Sequence, residues 1–136
     1  MSHQTDLTLM GGALIDFTPP AVVSGGNVTL TPAQLMTGMV DRTMGGSKTD
    51  ALPTAADLLA AMSRGGYQPP PGCSLDVYFR NTAAATDVLT LTLGAGMTGA
   101  SGVNTLTIAA ASARRLRFVV APGGAITVYS MGTSLT

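Results

Sequence analysis

From Ser74 onward the chain alternates between apolar and polar residues with a period of two. Leu75, Val77 and Phe79 point one way and Asp76, Tyr78 and Arg80 the other. Thr86–Leu93 repeats the pattern, with Leu89, Leu91 and Leu93 opposite Val88. Val103–Ile108 places Leu106 and Ile108 inward. In Ala113–Val120, Leu116, Phe118 and Val120 oppose Arg115, Arg117 and Val119. Ala125–Ser130 sets Ile126 and Val128 inward and Thr127 and Tyr129 outward. Between these runs lie Asn81-Thr82-Ala83, Gly94-Ala95-Gly96, Gly99–Gly102 and Pro122-Gly123-Gly124. Period-two strands separated by Gly, Asn and Pro turns at this spacing predict an antiparallel β-sandwich or barrel.

The first half follows a different rhythm. Thr31-Pro32-Ala33-Gln34 carries an N-cap threonine, a proline suited to the first helical turn and a glutamine that completes a capping box. A short helix near residues 32–39 follows, with Leu35, Met36 and Met39 on its apolar face. Thr54, Asp57 and the stripe Leu58, Leu59 and Met62 predict a second helix near 55–64, stopped by Gly65-Gly66. Asp41-Arg42-Thr43 and Gly45–Asp50 read as a polar loop between the helices. Residues 1–27 hold Gly11-Gly12, Pro19-Pro20 and Gly25-Gly26 between the short apolar runs Leu7–Met10, Ala13–Phe17 and Ala21–Val23. They read as an extended N-terminal arm with one or two short strands, joined to a β domain over 28–136.

Length and charge narrow the classes. A chain of 136 residues forms one domain. No apolar run is long enough to span a bilayer, and the N-terminus lacks the basic and apolar regions of a signal peptide. No membrane association is expected, and synthesis is expected in a cytoplasm. Only 10% of residues are charged, against about 25% in an average soluble domain. There is no Glu, and Lys48 is the only lysine. A neutral chain with one short basic cluster, Arg114-Arg115-Leu116-Arg117, does not suit nucleic-acid binding, which draws on clustered cations. A surface this poor in charge is expected to be covered largely by other protein.

Little of the sequence carries chemistry. His3 is the only histidine and has no nucleophile motif near it. Cys73 is the only cysteine, so no internal disulfide forms, and it reads as a small buried residue. The seven aspartates form neither a calcium loop nor a paired-acid signature. Gly94-Ala95-Gly96 lies between strands and lacks the lysine and helix start of a phosphate loop. No catalytic residue, cofactor site or metal site is expected. Candidate contact residues are Leu7, Leu9, Ile15 and Phe17 in the arm, and Tyr78, Arg80, Arg114, Arg115 and Arg117 on the strands.

The order of several short segments resembles that of the small head-decoration, or cement, proteins of tailed bacteriophages. The segments are Leu30-Thr31-Pro32-Ala33-Gln34-Leu35, Asp41-Arg42-Thr43 and Thr49–Ala56. After them come Arg80-Asn81-Thr82, Leu91–Thr98, Leu106-Thr107-Ile108-Ala109 and Arg114–Phe118. The likeness covers about residues 28–131 and leaves the arm and the Met44–Lys48 loop unmatched. It implies a jelly-roll-like sandwich, often a homodimer, bound to the outer face of an HK97-type icosahedral capsid and bridging copies of the major capsid protein. Two other readings remain open on the residues: a carbohydrate- or receptor-binding jelly-roll module of a phage fibre, and a neck or tail structural subunit. The absence of Trp counts against a sugar site.

Overall fold

The computed structural model describes residues 18–84, 86–100, 102 and 105–135. In chain order the elements are β1 (Ala21–Val23), α1 (Pro32–Leu35), β2 (Met39–Arg42), β3 (Lys48–Ala51), α2 (Ala55–Met62), β4 (Ser74–Asn81), β5 (Leu89–Thr92), β6 (Met97–Gly99), β7 (Thr105–Ile108), β8 (Ser112–Ala121) and β9 (Ala125–Leu135). The protein is mainly β with two sheets, as a β-sandwich requires. One sheet has six strands in the order β1-β2-β4-β8-β9-β6, and the other has three in the order β3-β5-β7.

The longest strands are those with the strongest alternation. Phe79, Val77, Leu116 and Phe118 of β4 and β8 turn inward with Leu89, Leu91 and Ile108 of the small sheet. Leu35, Leu58 and Leu59 of the helices join the same core. Full burial of each such side chain contributes roughly 1.5–3 kcal/mol.

The expectation of a purely antiparallel sandwich is corrected. The pairs β4–β8, β8–β9 and β5–β7 are antiparallel. The pairs β1–β2, β2–β4, β3–β5 and β6–β9 are parallel. Every parallel pair contains a strand of three or four residues. So short a run shows no readable alternation, and parallel neighbours need long crossovers that leave no turn signature. The expected polar loop also supplies two of these strands, β2 and β3. Ala21–Val23, assigned to the arm, pairs with β2, and Val23 is buried.

Both helices are shorter than expected. α1 has the full capping box: the Thr31 N–H donates to Gln34 Oε1 at 2.9 Å and the Gln34 N–H to Thr31 Oγ1 at 3.2 Å. It lasts one turn, because the Thr37 hydroxyl takes the Gln34 carbonyl and Gly38 adopts φ +82°. Met39 is therefore a strand residue. α2 begins at the Thr54 cap, whose hydroxyl accepts from the Asp57 N–H at 3.1 Å. It ends two residues early, where the Ser63 hydroxyl donates to the Leu59 carbonyl at 2.9 Å.

Candidate interaction face

Strand register places four cross-strand rows on the outer side of the large sheet. Val22, Asp41, Arg80 and Ala113 form the first row across β1, β2, β4 and β8. Met39, Tyr78 and Arg115 form the second. Asp76, Arg117 and Tyr129 form the third, and Ser74, Val119, Thr127 and Thr98 the fourth. Directly opposite residues in a sheet share a face and touch.

Four of the five charged residues in these rows pair with one another. Arg80 donates to Asp41 through Nε at 2.9 Å and Nη2 at 2.7 Å. Arg117 donates to Asp76 through Nε at 2.7 Å and Nη2 at 2.9 Å. Two-point pairs of this kind fix the two side chains against each other across neighbouring strands. The hydrogen bonds from Arg117 hold the Asp76 carboxyl below its ordinary value against a partial loss of solvation, and the charges of Arg117 and Arg115 add to the effect. Reciprocally, Asp76 raises the Arg117 guanidinium. Arg115 lies 6.0 Å from the centre of the Tyr78 ring, within cation–π reach, and has no ion pair among the described residues.

Apolar groups stand between the pairs. Val22 is 70% exposed, and Tyr78, Tyr129 and Met131 about 40% each. The outer side of the small sheet is different again. Thr49, Thr90 and Thr107 form one row and Ala51, Thr92 and Thr105 another, with no charge in either.

The strand candidates are thus partly united. Tyr78, Arg80, Arg115 and Arg117 meet on the large outer face. Arg114 does not join them, because it lies opposite the buried Phe79 on the inward side of β8, with its Nε buried and without a hydrogen-bond partner among the described residues. Leu7, Leu9, Ile15 and Phe17 lie outside the described residues, as does His3. Asp41 and Val22 are members of the face that the sequence did not single out. Asp76 was legible as sharing a face with Tyr78 and Arg80. Asp41 had no such signal, because β2 is too short to display one.

The interior holds a third ion pair, and this one bridges the sheets. Arg42 of β2 is 1% exposed and Asp50 of β3 is fully buried. Arg42 donates to Asp50 through Nε at 2.6 Å and Nη2 at 3.1 Å. Its remaining hydrogens go to the carbonyls of Gly25, Thr43 and Gly26. Asp50 also accepts from the Val28 N–H at 3.1 Å. Nearby, the buried Asn81 side chain donates to the carbonyls of Asp87 and Ile108 and accepts from the Ala83 N–H. These networks have their polar atoms satisfied and tie β2, β3, β4 and the neighbouring loops together.

Cys73, expected to be buried, is exposed in the turn before β4. The turn runs along β8, exchanging backbone hydrogen bonds with Val120 and leaving the side chain outside the core. Among the described residues no group of three or more His, Cys, Asp or Glu side chains is placed to hold a metal, and no helix is long and apolar enough to cross a membrane. Comparison with protein families, characterised proteins and solved structures gave no match to this chain.

Proposed function

We propose that this chain is a structural protein of a tailed-phage virion, a cement protein with a jelly-roll-like fold. In this reading it binds the outer surface of an HK97-type capsid, bridges copies of the major capsid protein and pairs with itself as a homodimer. It carries no enzymatic activity and needs no cofactor. The observation that carries the reading is the outer face of the large sheet. Its ion pairs are closed within the face, and Val22, Tyr78 and Tyr129 stand exposed between them. A face in which two of three arginines are already paired with carboxylates loses less on burial against another protein than a scattered set of solvated charges does. Tyr and Arg are also the residues that most often anchor interfaces. The ordered sequence resemblance to decoration proteins points the same way.

Binding only to the assembled lattice would stabilise the shell by mass action over its dissociated subunits. Many copies on one shell make the gain multivalent. The test compares phage particles made with and without this protein for survival of heating and osmotic shock. Particles lacking it are expected to release their genome at lower temperature, and the wild-type chain added back is expected to restore resistance. Equal survival of the two would refute a cementing role.

A further inference from the structure

The segment between α2 and β4 carries the most exposed large apolar side chain among the described residues. Tyr67 is 82% exposed, about twice as much as Tyr78 or Tyr129. A tight turn presents it. The Arg64 N–H donates to the Tyr67 carbonyl at 3.0 Å, and the Tyr67 N–H donates to the Arg64 carbonyl at 2.9 Å. Between them Gly65 and Gly66 adopt φ +59° and +83°, the pair of positive angles that closes a two-residue reversal. Arg64 is itself exposed and has no ion pair among the described residues.

Gln68-Pro69-Pro70-Pro71 follows, half-buried at Pro69 and otherwise exposed. Gln68, Pro69 and Pro70 each precede a proline, which disfavours the helical region, and each proline ring fixes φ at about −65°. The run is therefore an extended polyproline strut whose three prolines have no N–H to donate. A second turn closes its far end. The Cys73 N–H donates to the Pro70 carbonyl at 3.2 Å, with Pro71 and Gly72, at φ +97°, in the central positions. The Gly72 N–H then donates to the Val120 carbonyl at 2.8 Å, which fixes the strut to the end of β8. With both ends anchored, burying the strut against a partner costs little chain entropy. Proline struts dock in grooves lined by aromatic rings, and the unpaired Arg64 calls for carboxylates at the rim. This chain has no such groove among the described residues: Phe79 and Phe118 are buried, and Tyr78 and Tyr129 stand on the outer face of a sheet. The partner is therefore a different protein.

We infer that Tyr67–Pro71, with Arg64 across the turn from Tyr67, enters an aromatic-lined, acid-rimmed groove of the major capsid protein. The inference rests on the shell-binding reading and adds to it a second contact, at the end of the large sheet rather than on its outer face.

The experiment mixes the full-length protein, over a concentration series, with phage shells made without it and reads binding by co-sedimentation. Wild type is compared with Tyr67→Ala, Pro70→Gly and Arg64→Glu. Tyr67→Ala is expected to weaken binding about tenfold or more. Pro70→Gly, which returns freedom to the strut, is expected to weaken it as well, and Arg64→Glu to weaken it most at low salt. Circular dichroism and thermal melting that match the wild type show that each variant is folded. A second readout needs no variant. Cys73 is the only cysteine and is exposed at the foot of the strut, so its reaction with a maleimide is expected to slow on the shell. Full wild-type affinity in Tyr67→Ala, or a Cys73 as reactive on the shell as in solution, would overturn the inference and leave the shell role standing. A wild type that does not bind the shell would overturn both.

Discussion

At the scale of single residues, the ion pairs among the described residues are of two kinds. Arg42 and Asp50 are buried together, and Asp41–Arg80 and Asp76–Arg117 are paired in the open. The buried pair is the more consequential. Replacing one partner strands the other without water, whereas replacing both with apolar groups of equal shape can be neutral. Asp50→Asn is therefore expected to destabilise the fold by about 3–5 kcal/mol, read as a lower denaturation midpoint in urea. The exposed Asp76–Arg117 pair acts through pH instead. The folded state holds the Asp76 carboxyl below its unfolded value of 3.8. Its contribution to stability is thus present above that value and fades as pH falls through the lower, folded value. In an NMR titration, Asp76 is expected to protonate at lower pH than an unpaired aspartate, and Arg117→Gln to bring it back up. An unchanged Asp76 titration in that variant would show that the pair does not hold the carboxyl.

At the scale of elements, backbone geometry explains which turns the chain tolerates. Ala111, between β7 and β8, has φ +52° and is the only described non-glycine residue with positive φ. Its side chain is exposed, so it gives no packing in return for a conformation that costs an L-residue about 1–2 kcal/mol. Ala111→Gly is expected to stabilise the protein by up to about 1 kcal/mol, seen as a higher melting temperature. Gly94 is the reverse case. A Cβ there would come within 2.0 Å of the Pro53 carbonyl oxygen, so the chain between β5 and β6 passes α2 only as glycine. The expected turn at Gly94-Ala95-Gly96 was legible because glycines mark such approaches. The partner segment at Pro53 was not, because it lies 41 residues away in sequence.

At the scale of the whole molecule, the two sheets present unlike outer surfaces. The large sheet offers cross-strand ion pairs with tyrosines, and the small sheet offers threonines. Neither surface carries a large excess of one charge, which accords with the proposed place in an assembly. The shell-stability comparison belongs to this scale, because resistance to heat and osmotic shock is a property of many copies acting together. A small domain with two different faces can touch one neighbour with each, and that is what bridging requires.

The residue pattern by itself determined the β-rich class, the longest strands, the caps of both helices and the inward set around Phe79, Leu116 and Phe118. Those features follow from local periodicity and local hydrogen bonds, which a single stretch of chain contains in full. Only the tertiary structure decided that Asp41, Arg42 and Asp50 are strand residues, that four strand pairs run parallel, and that Arg115 and Arg117 lie opposite Tyr78 and Asp76. Each of those outcomes depends on a partner from another strand. Burying a charge such as Arg42 becomes tolerable only once folding has brought Asp50 and three backbone carbonyls within reach of it.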